Sequence, residues 1–352
     1  MHSLTVELLT KLRYDGLQLS TLRALGEYRG KQTLFVAQSA EALAGLRQQA
    51  MIESAESSNR LEGVVVSPTR LKSLMVKNAQ PKSRSEQEIA GYRDALSLIH
   101  EACDAMPVSE GTVRQLHTIL YRYLPQEGGH WKSTNNDIIE RHPDGSLRVR
   151  FTPTPAHLTP MAMAMNDLLA RYHSANEQKL ADPLVLVPLC ILDFLCIHPF
   201  ADGNGRVARL LTLLLLYQFD YAVGRFISLE RIFEDSKESY YETLEASSVN
   251  WHVGEHDAGP WLNYFWGALI KAYKEFEARV GTIEKKHGNK SSRVRIAVLN
   301  RSLPFSISDI ELACPGTSRD TVRLVLRTLK AEGLIESTGK GRSAKWRSCP
   351  QP

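Results

Sequence analysis

A chain of 352 residues and 39.5 kDa exceeds the usual size of one domain, so two domains are expected. Hydrophobic residues make up 43% and charged residues 23%, a balance typical of soluble globular proteins, which excludes wholesale disorder. The longest apolar stretch, residues 184–197, contains Pro188 and Asp193 and is too short to cross a bilayer, so no membrane span is expected.

The cysteines and the N-terminus favour an intracellular protein. Five cysteines without a CxxC pair argue against a disulfide framework or a zinc knuckle. The first residues, MHSLTVELLTKL, lack the basic region and apolar segment of an export signal. A cytoplasmic location with reduced thiols is therefore expected.

Helix signals dominate the chain. Ser67-Pro68, Thr159-Pro160 and Asp182-Pro183 each place a capping side chain before a proline at the first helical position. Two pairs have the spacing of a capping box: Ser85 with Glu88, and Ser308 with Glu311. Apolar periodicity predicts helices over about 38–55, 68–77, 86–103, 110–123, 160–174, 183–197, 206–219 and 260–280.

Strand signals are confined to two places. Within residues 134–152, Pro143-Asp144-Gly145 is typical of a turn between the strand-like segments Ile138-Ile139 and Leu147–Phe151. The body is therefore predicted to be mainly helical with one β-hairpin.

The second place is a basic tail. Residues 285–352 carry 14 Lys or Arg against 5 Asp or Glu, whereas residues 1–284 carry 29 against 34. Residues 281–292 (GTIEKKHGNKSS) have the composition of a linker. The expected order after it is a helix over 293–300, a short helix from Ser306 or Ser308, a longer one capped by Thr317 or Ser318, and two strands.

That order predicts a winged helix-turn-helix domain. The strands Leu334-Ile335 and 344–347 would flank a glycine-rich wing. Five basic residues are candidates for phosphate contacts: Arg319, Arg323 and Arg327 on one face of the third helix, and Lys340 and Arg342 in the wing. Nucleic acid is the expected partner, and use of the domain for protein contact is the alternative.

The most informative segment is residues 198–209, HPFADGNGRVAR, between two helices that are apolar nearly all round. Gly203-Asn204-Gly205 at a helix start can turn backbone N–H groups toward an anion. Arg206 and Arg209 are three apart and can hold different phosphates. Asp202 is placed to ligate Mg²⁺, and His198 can accept a proton from a hydroxyl near neutral pH.

The segment resembles the signature of the Fic family, HxFx[D/E]GNGRxxR, at every specified position. The resemblance spans about residues 40–280 and implies transfer of a nucleoside monophosphate from ATP to a Ser, Thr or Tyr hydroxyl of a protein. It implies His198 as base, Asp202 as Mg²⁺ ligand, and Gly203, Asn204, Gly205, Arg206 and Arg209 as phosphate contacts.

Other positions follow from the same resemblance. The hairpin at 134–152 occupies the place of the family's flap, on which a target protein would dock. Tyr240-Tyr241 matches a pair that lines the nucleoside pocket, and a core aromatic pair is the alternative. Lys132 stands where Arg is common, and Ser248 near a usual Asn. Symmetric dimers are common in the family, so a homodimer is also expected.

An inhibitory motif is predicted N-terminal to the signature segment. Ser58, Glu62 and Gly63 resemble the inhibitory [S/T]xxxE[G/N] motif of Fic proteins. If the helix that carries Ser58 and Glu62 packs on the signature loop, Glu62 can pair with Arg209 and occupy the position of the γ-phosphate. A surface glutamate at a glycine-capped helix end is the alternative.

Further histidines and tryptophans invite other interpretations. The segment 252–257 (HVGEHD) has metal-ligand residue types, but Gly254 and the following turn favour a solvent loop. Three histidines lack partners at informative spacing: His117, His130 and His142. Trp251, Trp261 and Trp266 are expected to pack between helices.

The expected protein is a mainly α, Fic-type helical bundle with a flap and a winged helix. Its predicted parts are a helical region over 1–95 with the inhibitory helix at about 50–63, a catalytic core over 96–280, a linker over 281–292 and a winged helix over 293–352. The expected function is self-inhibited transfer of AMP. The alternatives are removal of AMP using Glu62, transfer of another group, and nucleotide sensing by a transcriptional regulator.

Overall fold

A computed structural model describes residues 3–38, 40–77, 79–141, 145–287, 290–299, 304–314, 317–338 and 345–348. The chain divides into two compact units, Met1–Phe276 and Glu277–Pro352. Among the residues described, no helix has the length and apolar character needed to cross a bilayer.

Helices make up most of the first unit. They are α1 (Val6–Lys11), α2 (Gly16–Gln38), α3 (Ala40–Leu61), α4 (Pro68–Lys77), α5 (Arg84–Ala102), α6 (Glu110–Leu120), α7 (Met161–Glu177), α8 (Pro183–Ile197), α9 (Asn204–Tyr217), α10 (Leu229–Asp235), α11 (Lys237–Ser248) and α12 (Gly259–His287). The mainly helical fold predicted from sequence is confirmed.

The helices α8 and α9 form the centre of the core. Asp182 caps α8 by accepting a hydrogen bond from the Leu184 N–H at 2.8 Å, and proline occupies the next position as predicted. Pro188 lacks an N–H, which frees the Leu184 carbonyl inside the helix. The Trp266 indole of α12 donates to that carbonyl at 2.7 Å, so the freed acceptor is satisfied within the core.

Some helix ends differ from the prediction by one or two residues. Ser83 rather than Ser85 caps α5, and its hydroxyl accepts from the Glu86 N–H. Pro160 is itself the cap of α7 rather than its first residue. In α5 the donor satisfied is the Glu86 N–H rather than the Glu88 N–H, because Ser83 offers the same capping hydroxyl two residues earlier.

The predicted hairpin is present. Strands β1 (Ile138–Arg141) and β2 (Leu147–Phe151) pair antiparallel, with Ile139 opposite Val149 and a bulge between residues 138 and 139. Residues 142–144 of the predicted turn, with His142, lie outside the described residues. On α11, Glu245 pairs with Arg148 and Arg150 of β2, so the hairpin is tied to that helix.

The second unit contains helices followed by a two-stranded sheet. These elements are α13 (Lys290–Leu299), α14 (Ile307–Ala313), α15 (Arg319–Ala331), β3 (Ile335–Thr338) and β4 (Lys345–Ser348). Their apolar faces share one core that includes Val298, Phe305 and Leu326. The capping box of α14 is Ser306 with Asp309, not Ser308 with Glu311.

The predicted linker differs from the structure. Helix α12 extends to His287 and α13 begins at Lys290, so most of residues 281–292 are helical. No proline interrupts this segment, and its Ile, Glu and Lys residues are adequate helix formers. The absence of a periodic apolar pattern in this segment therefore did not mean that it was not helical.

Gly91 offers a test of the packing between α5 and α6. A methyl group there would collide with the Leu120 carbonyl, whereas one on exposed Gly267 of α12 would meet no atom within 4 Å. We expect Gly91→Ala to lower the free energy of unfolding by about 1–3 kcal/mol. Gly267→Ala should raise it by about 0.5–1 kcal/mol. Thermal unfolding followed by tryptophan fluorescence compares them, and equal midpoints would contradict the packing described.

Candidate functional site

A tight loop joins α8 to α9. It begins at His198, whose φ of 51° ends α8 in the left-handed region, and ends at Gly203, whose φ of 80° caps α9. Asn204 fixes the loop, since its side chain accepts from the Phe200 N–H at 2.9 Å and donates to the Phe200 carbonyl at 2.8 Å. The Asn204 side chain is therefore committed to holding the loop.

His198 is held in one tautomer. Its Nδ1 lies 3.2 Å from the Leu195 carbonyl, which can only accept, so Nδ1 carries the proton and Nε2 is left with a free lone pair. Burial, reinforced by the charge of Lys132, lowers the pKa of His198 to about 4, although the Leu195 hydrogen bond and nearby carboxylates oppose the shift. The imidazole is neutral at pH 7 and can accept a proton.

Lys132 lies beneath the loop. Its Nζ donates to Asn136 at 2.8 Å and to the Ile197 carbonyl at 3.3 Å, and its backbone N–H donates to the Pro199 carbonyl. Burial lowers the pKa of this lysine to about 8. Lys132 thus holds the end of α8 in place.

Asp202 presents its carboxylate at the edge of the loop. Oδ1 accepts from the Gly203 N–H at 2.7 Å, and Oδ2 accepts from the Tyr121 hydroxyl at 3.1 Å. Burial alone would raise the pKa of Asp202, but the charge of Arg206 and these hydrogen bonds lower it. The carboxylate is therefore ionised. No cluster of three potential metal-ligating side chains occurs in the described part of the chain.

His117, which the sequence left without a partner, supports this loop. Its Nδ1 accepts from the Gly129 N–H at 2.7 Å, so its Nε2–H donates to the Asp202 carbonyl at 3.0 Å. The ring stacks on Phe200 with centroids 3.8 Å apart, and burial lowers the pKa of His117 to about 4. Its partners lie far away in sequence, so spacing along the chain could not reveal them.

The two arginines of the loop face different helices. Arg206 is buried, donates to Glu88 of α5 at 2.6 Å and lies 3.6 Å from Asp202. It does not line the cavity described below, whereas Arg209 does. The spacing predicted a phosphate contact for each arginine; for Arg206, which is paired with Glu88, that contact stays a prediction.

Arg209 contacts the predicted inhibitory helix. Its Nε donates to the Ser58 hydroxyl at 2.8 Å, and its Nη2 donates to the Ser58 carbonyl at 2.9 Å and to Glu62 Oε1 at 2.6 Å. Burial would lower the pKa of Arg209, but the Glu62 carboxylate outweighs this effect and raises it. The guanidinium is only 2% exposed, so Glu62 neutralises a buried charge.

Glu62 follows the last residue of α3. Gly63, with φ of 80°, turns the chain, and the Val64 N–H returns to the Asn59 carbonyl at 2.9 Å. The carboxylate lies so close to Gly205 that a methyl group on that residue would collide with Glu62 Oε1. Glu62 thus occupies the space in front of the first turn of α9.

Buried polar contacts fix α3 on its neighbours. Ser54, one turn before Ser58, donates to Glu230 of α10 at 2.7 Å, and Tyr92 of α5 donates to the same carboxylate at 2.8 Å. Arg60 pairs with Glu234 of α10 at 2.7 Å. These contacts join residues far apart in sequence, so no local motif could have revealed them.

A cavity of about 500 Å³ opens beside the loop. Its lining includes the hairpin residues Ile138, Ile139, Arg150 and Phe151, the loop residues His198, Asp202, Gly203, Asn204, Gly205 and Arg209, and also Glu62, Tyr240, Tyr241 and Ser248. The structure therefore gathers most of the predicted site residues around one space.

The two tyrosines of the predicted pair differ in their surroundings. Tyr240 is 3% exposed and stacks on Phe233, so the core interpretation describes it well. Tyr241 lies under the Arg150 guanidinium at 5.6 Å and donates to the Leu61 carbonyl at 3.3 Å. Tyr241 thus contacts both the hairpin and the end of α3, and it lines the cavity.

The segment 252–257 is only partly a solvent loop. His252 contacts the Thr152 carbonyl at 2.8 Å and stacks on Phe151, so it supports the hairpin. His256 is buried, with its Nε2 2.8 Å from the Ser3 hydroxyl. Both contacts join residues that are far apart in sequence, so the segment alone could not reveal them.

The basic face of α15 is present in the second unit. Arg319, Arg323 and Arg327 are exposed opposite the buried face of the helix, but Arg319 pairs with Glu311 at 3.0 Å and Arg323 with Asp320 at 3.3 Å. Lys340 and Arg342 lie outside the described residues.

Comparison with known proteins matches part of this site to a known family. Residues 107–216 match the model of the Fic/DOC family. The chain carries a Fic/DOC domain. A protein adenylyltransferase Fic from Nematostella vectensis is 25% identical over 209 residues, which is 57% of this chain and 44% of that protein.

A second curated relative and a solved structure extend the comparison. A Fido domain-containing protein from Dictyostelium discoideum is 28% identical over 86 residues, 24% of this chain and 58% of that protein. The chain thus spans about half the length of these curated relatives. A crystal structure of a Fic family protein from Desulfovibrio desulfuricans has a TM-score of 0.63 at 22% identity and covers 97% of this chain and 98% of that one. That likeness concerns the fold.

The proton-accepting state of His198 can be measured directly. With a pKa of about 4, its imidazole should remain neutral at pH 5.5, where an unperturbed histidine of pKa about 6.5 is mostly charged. NMR titration of histidine-labelled protein, with His198→Gln for assignment and urea-unfolded protein as reference, provides the test. A folded-state midpoint at or above the unfolded one would contradict the burial described for His198.

Proposed function

We propose that this chain is a self-inhibited protein adenylyltransferase, which transfers AMP from Mg²⁺-ATP to a Ser, Thr or Tyr hydroxyl of a target protein or of itself. The observation that carries the proposal is the gathering of a neutral His198, the helix start at Gly205 and the Arg209–Glu62 pair around one cavity. The Fic/DOC domain and the name of the Nematostella relative support the same reaction class.

The transfer uses His198 as general base. Its Nε2 accepts the proton of the incoming hydroxyl, whose oxygen attacks the α-phosphorus of ATP. The bond between that phosphorus and the oxygen bridging to the β-phosphate breaks, and pyrophosphate leaves. The products are an AMP-modified hydroxyl and pyrophosphate. The start of α9, with its positive helix end, would hold the phosphates.

Asp202 fits the role of Mg²⁺ ligand. Mg²⁺ in nucleotide sites is usually held by one or two carboxylates together with phosphate oxygens, so a single ionised carboxylate at the cavity edge is a sufficient protein ligand. The side chain of Asp202 is 65% exposed, which leaves it accessible. When bound, the ion would neutralise charge on the phosphates.

The proposed inhibition depends on the buried positive charge of Arg209. The pair with Glu62 satisfies Arg209 without ATP, and the carboxylate occupies the space where a terminal phosphate would meet that guanidinium. Without Glu62, Arg209 would keep the neutral oxygens of Ser58 as partners, and a buried charge left in that state strongly favours an incoming anion. We therefore infer that Glu62 is the inhibitory residue.

Labelling with ATP radioactive at the α-phosphate tests the proposal. Glu62→Gly should raise labelling of the protein or its targets several-fold, because Arg209 becomes free to hold the terminal phosphate. Adding His198→Ala should abolish labelling, because His198 is the only histidine among the described residues that line the cavity. Glu56→Ala is the control, since this carboxylate lies near the end of α3, shortly before Glu62, but pairs with Arg60 rather than with Arg209.

The outcomes separate the alternatives. Labelling that survives His198→Ala would contradict general-base catalysis, and binding of ATP without labelling would favour a nucleotide sensor. Label transferred only from the γ-phosphate would indicate a different group. Loss of AMP from a pre-modified target with the wild-type chain but not with Glu62→Gly would show removal of AMP, a second activity favoured by Glu62 and His198 lining one cavity.

We also propose that the second unit binds nucleic acid through the exposed face of α15. No ion pair of Arg327 occurs within the described residues, so Arg327→Ala should weaken binding of duplex DNA and reduce the salt slope by about one. Arg295→Ala is the control, because Arg295 is paired with Glu332 at 2.6 Å. Fluorescence anisotropy at several salt concentrations measures both, and equal slopes would contradict this use of the helix.

A further inference from the structure

The carboxylate of Asp202 is held from two sides. The Gly203 N–H donates to Oδ1 at 2.7 Å and the Tyr121 hydroxyl donates to Oδ2 at 3.1 Å, while Arg206 lies 3.6 Å from Oδ2. Each carboxylate oxygen has two lone pairs, so each keeps one after these hydrogen bonds. Asp202 is therefore oriented in advance and can still bind a cation.

Tyr121 is itself rigidly placed. It caps the end of α6, and its ring stacks on His117 with centroids 4.4 Å apart, while His117 in turn stacks on Phe200 of the loop. A methyl group on Gly203 would lie 3.3 Å from the Tyr121 ring, so the backbone of the loop passes directly over it. The hydroxyl thus points at Asp202 from a fixed base.

We propose that Tyr121 is a positioning residue whose hydroxyl orients Asp202 for the Mg²⁺ of the bound nucleotide. This inference rests on the proposed function. Hydrogen bonds that orient a metal ligand are commonly worth about 10–100-fold in metal affinity. Loss of the hydroxyl should leave Asp202 held by the Gly203 N–H and the more distant charge of Arg206, with no hydrogen bond to fix Oδ2, and it should therefore be a weaker ligand.

Two phenylalanine variants separate orientation from packing. Tyr121→Phe removes the hydroxyl and keeps the ring that stacks on His117. Tyr123→Phe is the matched control, because the Tyr123 hydroxyl also donates to an aspartate, Asp94, at 2.8 Å, and neither residue lines the cavity. Each variant loses one hydrogen bond to a carboxylate, and only Tyr121→Phe loses the hydrogen bond to Asp202.

The experiment measures metal binding in the full chain carrying Glu62→Gly. Mn²⁺ is titrated by electron paramagnetic resonance in the presence of α,β-methylene-ATP, and nucleotide binding is measured separately in EDTA. We expect Tyr121→Phe to raise the Mn²⁺ dissociation constant about tenfold. Tyr123→Phe should leave it unchanged, and metal-free nucleotide binding should be equal in both. Thermal unfolding confirms that both variants are folded.

Failure of the proposed role of Tyr121 can be told apart from failure of the proposed function. Equal Mn²⁺ affinity in the two variants would overturn the role of Tyr121 while leaving the proposed transferase intact. A rise accompanied by equally weakened nucleotide binding in EDTA would also overturn it, because the hydroxyl would then act on the whole cavity. If the Glu62→Gly parent bound no Mn²⁺-nucleotide, or bound it equally well with Asp202→Asn, the proposed function itself would fall.

Discussion

A positive charge buried inside a helical protein constrains everything around it. Arg209 stands on one of the two most enclosed helices, and an uncompensated guanidinium there would be strongly destabilising. Glu62 supplies the compensating charge in this structure, and a terminal phosphate could supply it instead. The need to neutralise Arg209 thus links the stability of the core, the position of α3 and the availability of the cavity for an anion.

The loop beside Arg209 depends on the rigidity of its surroundings. Asn204 closes the loop on itself, while His117 and Tyr121 support it from α6. Each of these side chains makes a hydrogen bond to the loop, so the loop keeps little freedom. Such a loop offers His198 and Asp202 in fixed positions, which is what a site acting by positioning and electrostatics requires.

Much of this arrangement could be predicted from sequence because it is local. The start of α8 follows from Asp182-Pro183, and the hairpin from a turn between alternating segments. Contacts between distant segments could not be predicted, such as Glu88 withdrawing Arg206 from the cavity. The helix α2 was also missed, because its weak amphipathic pattern gave no periodic signal.

The anchoring of α3 bears on how large a movement the proposed inhibition by Glu62 would require. Ser54 and Arg60 tie the helix to α10, whereas Glu62 lies beyond the last helical residue, next to the permissive backbone of Gly63. Rotation of the Glu62 side chain about its own bonds would then clear the start of α9, provided that an incoming anion replaces the carboxylate on Arg209. Such an exchange would need no helix to leave its place.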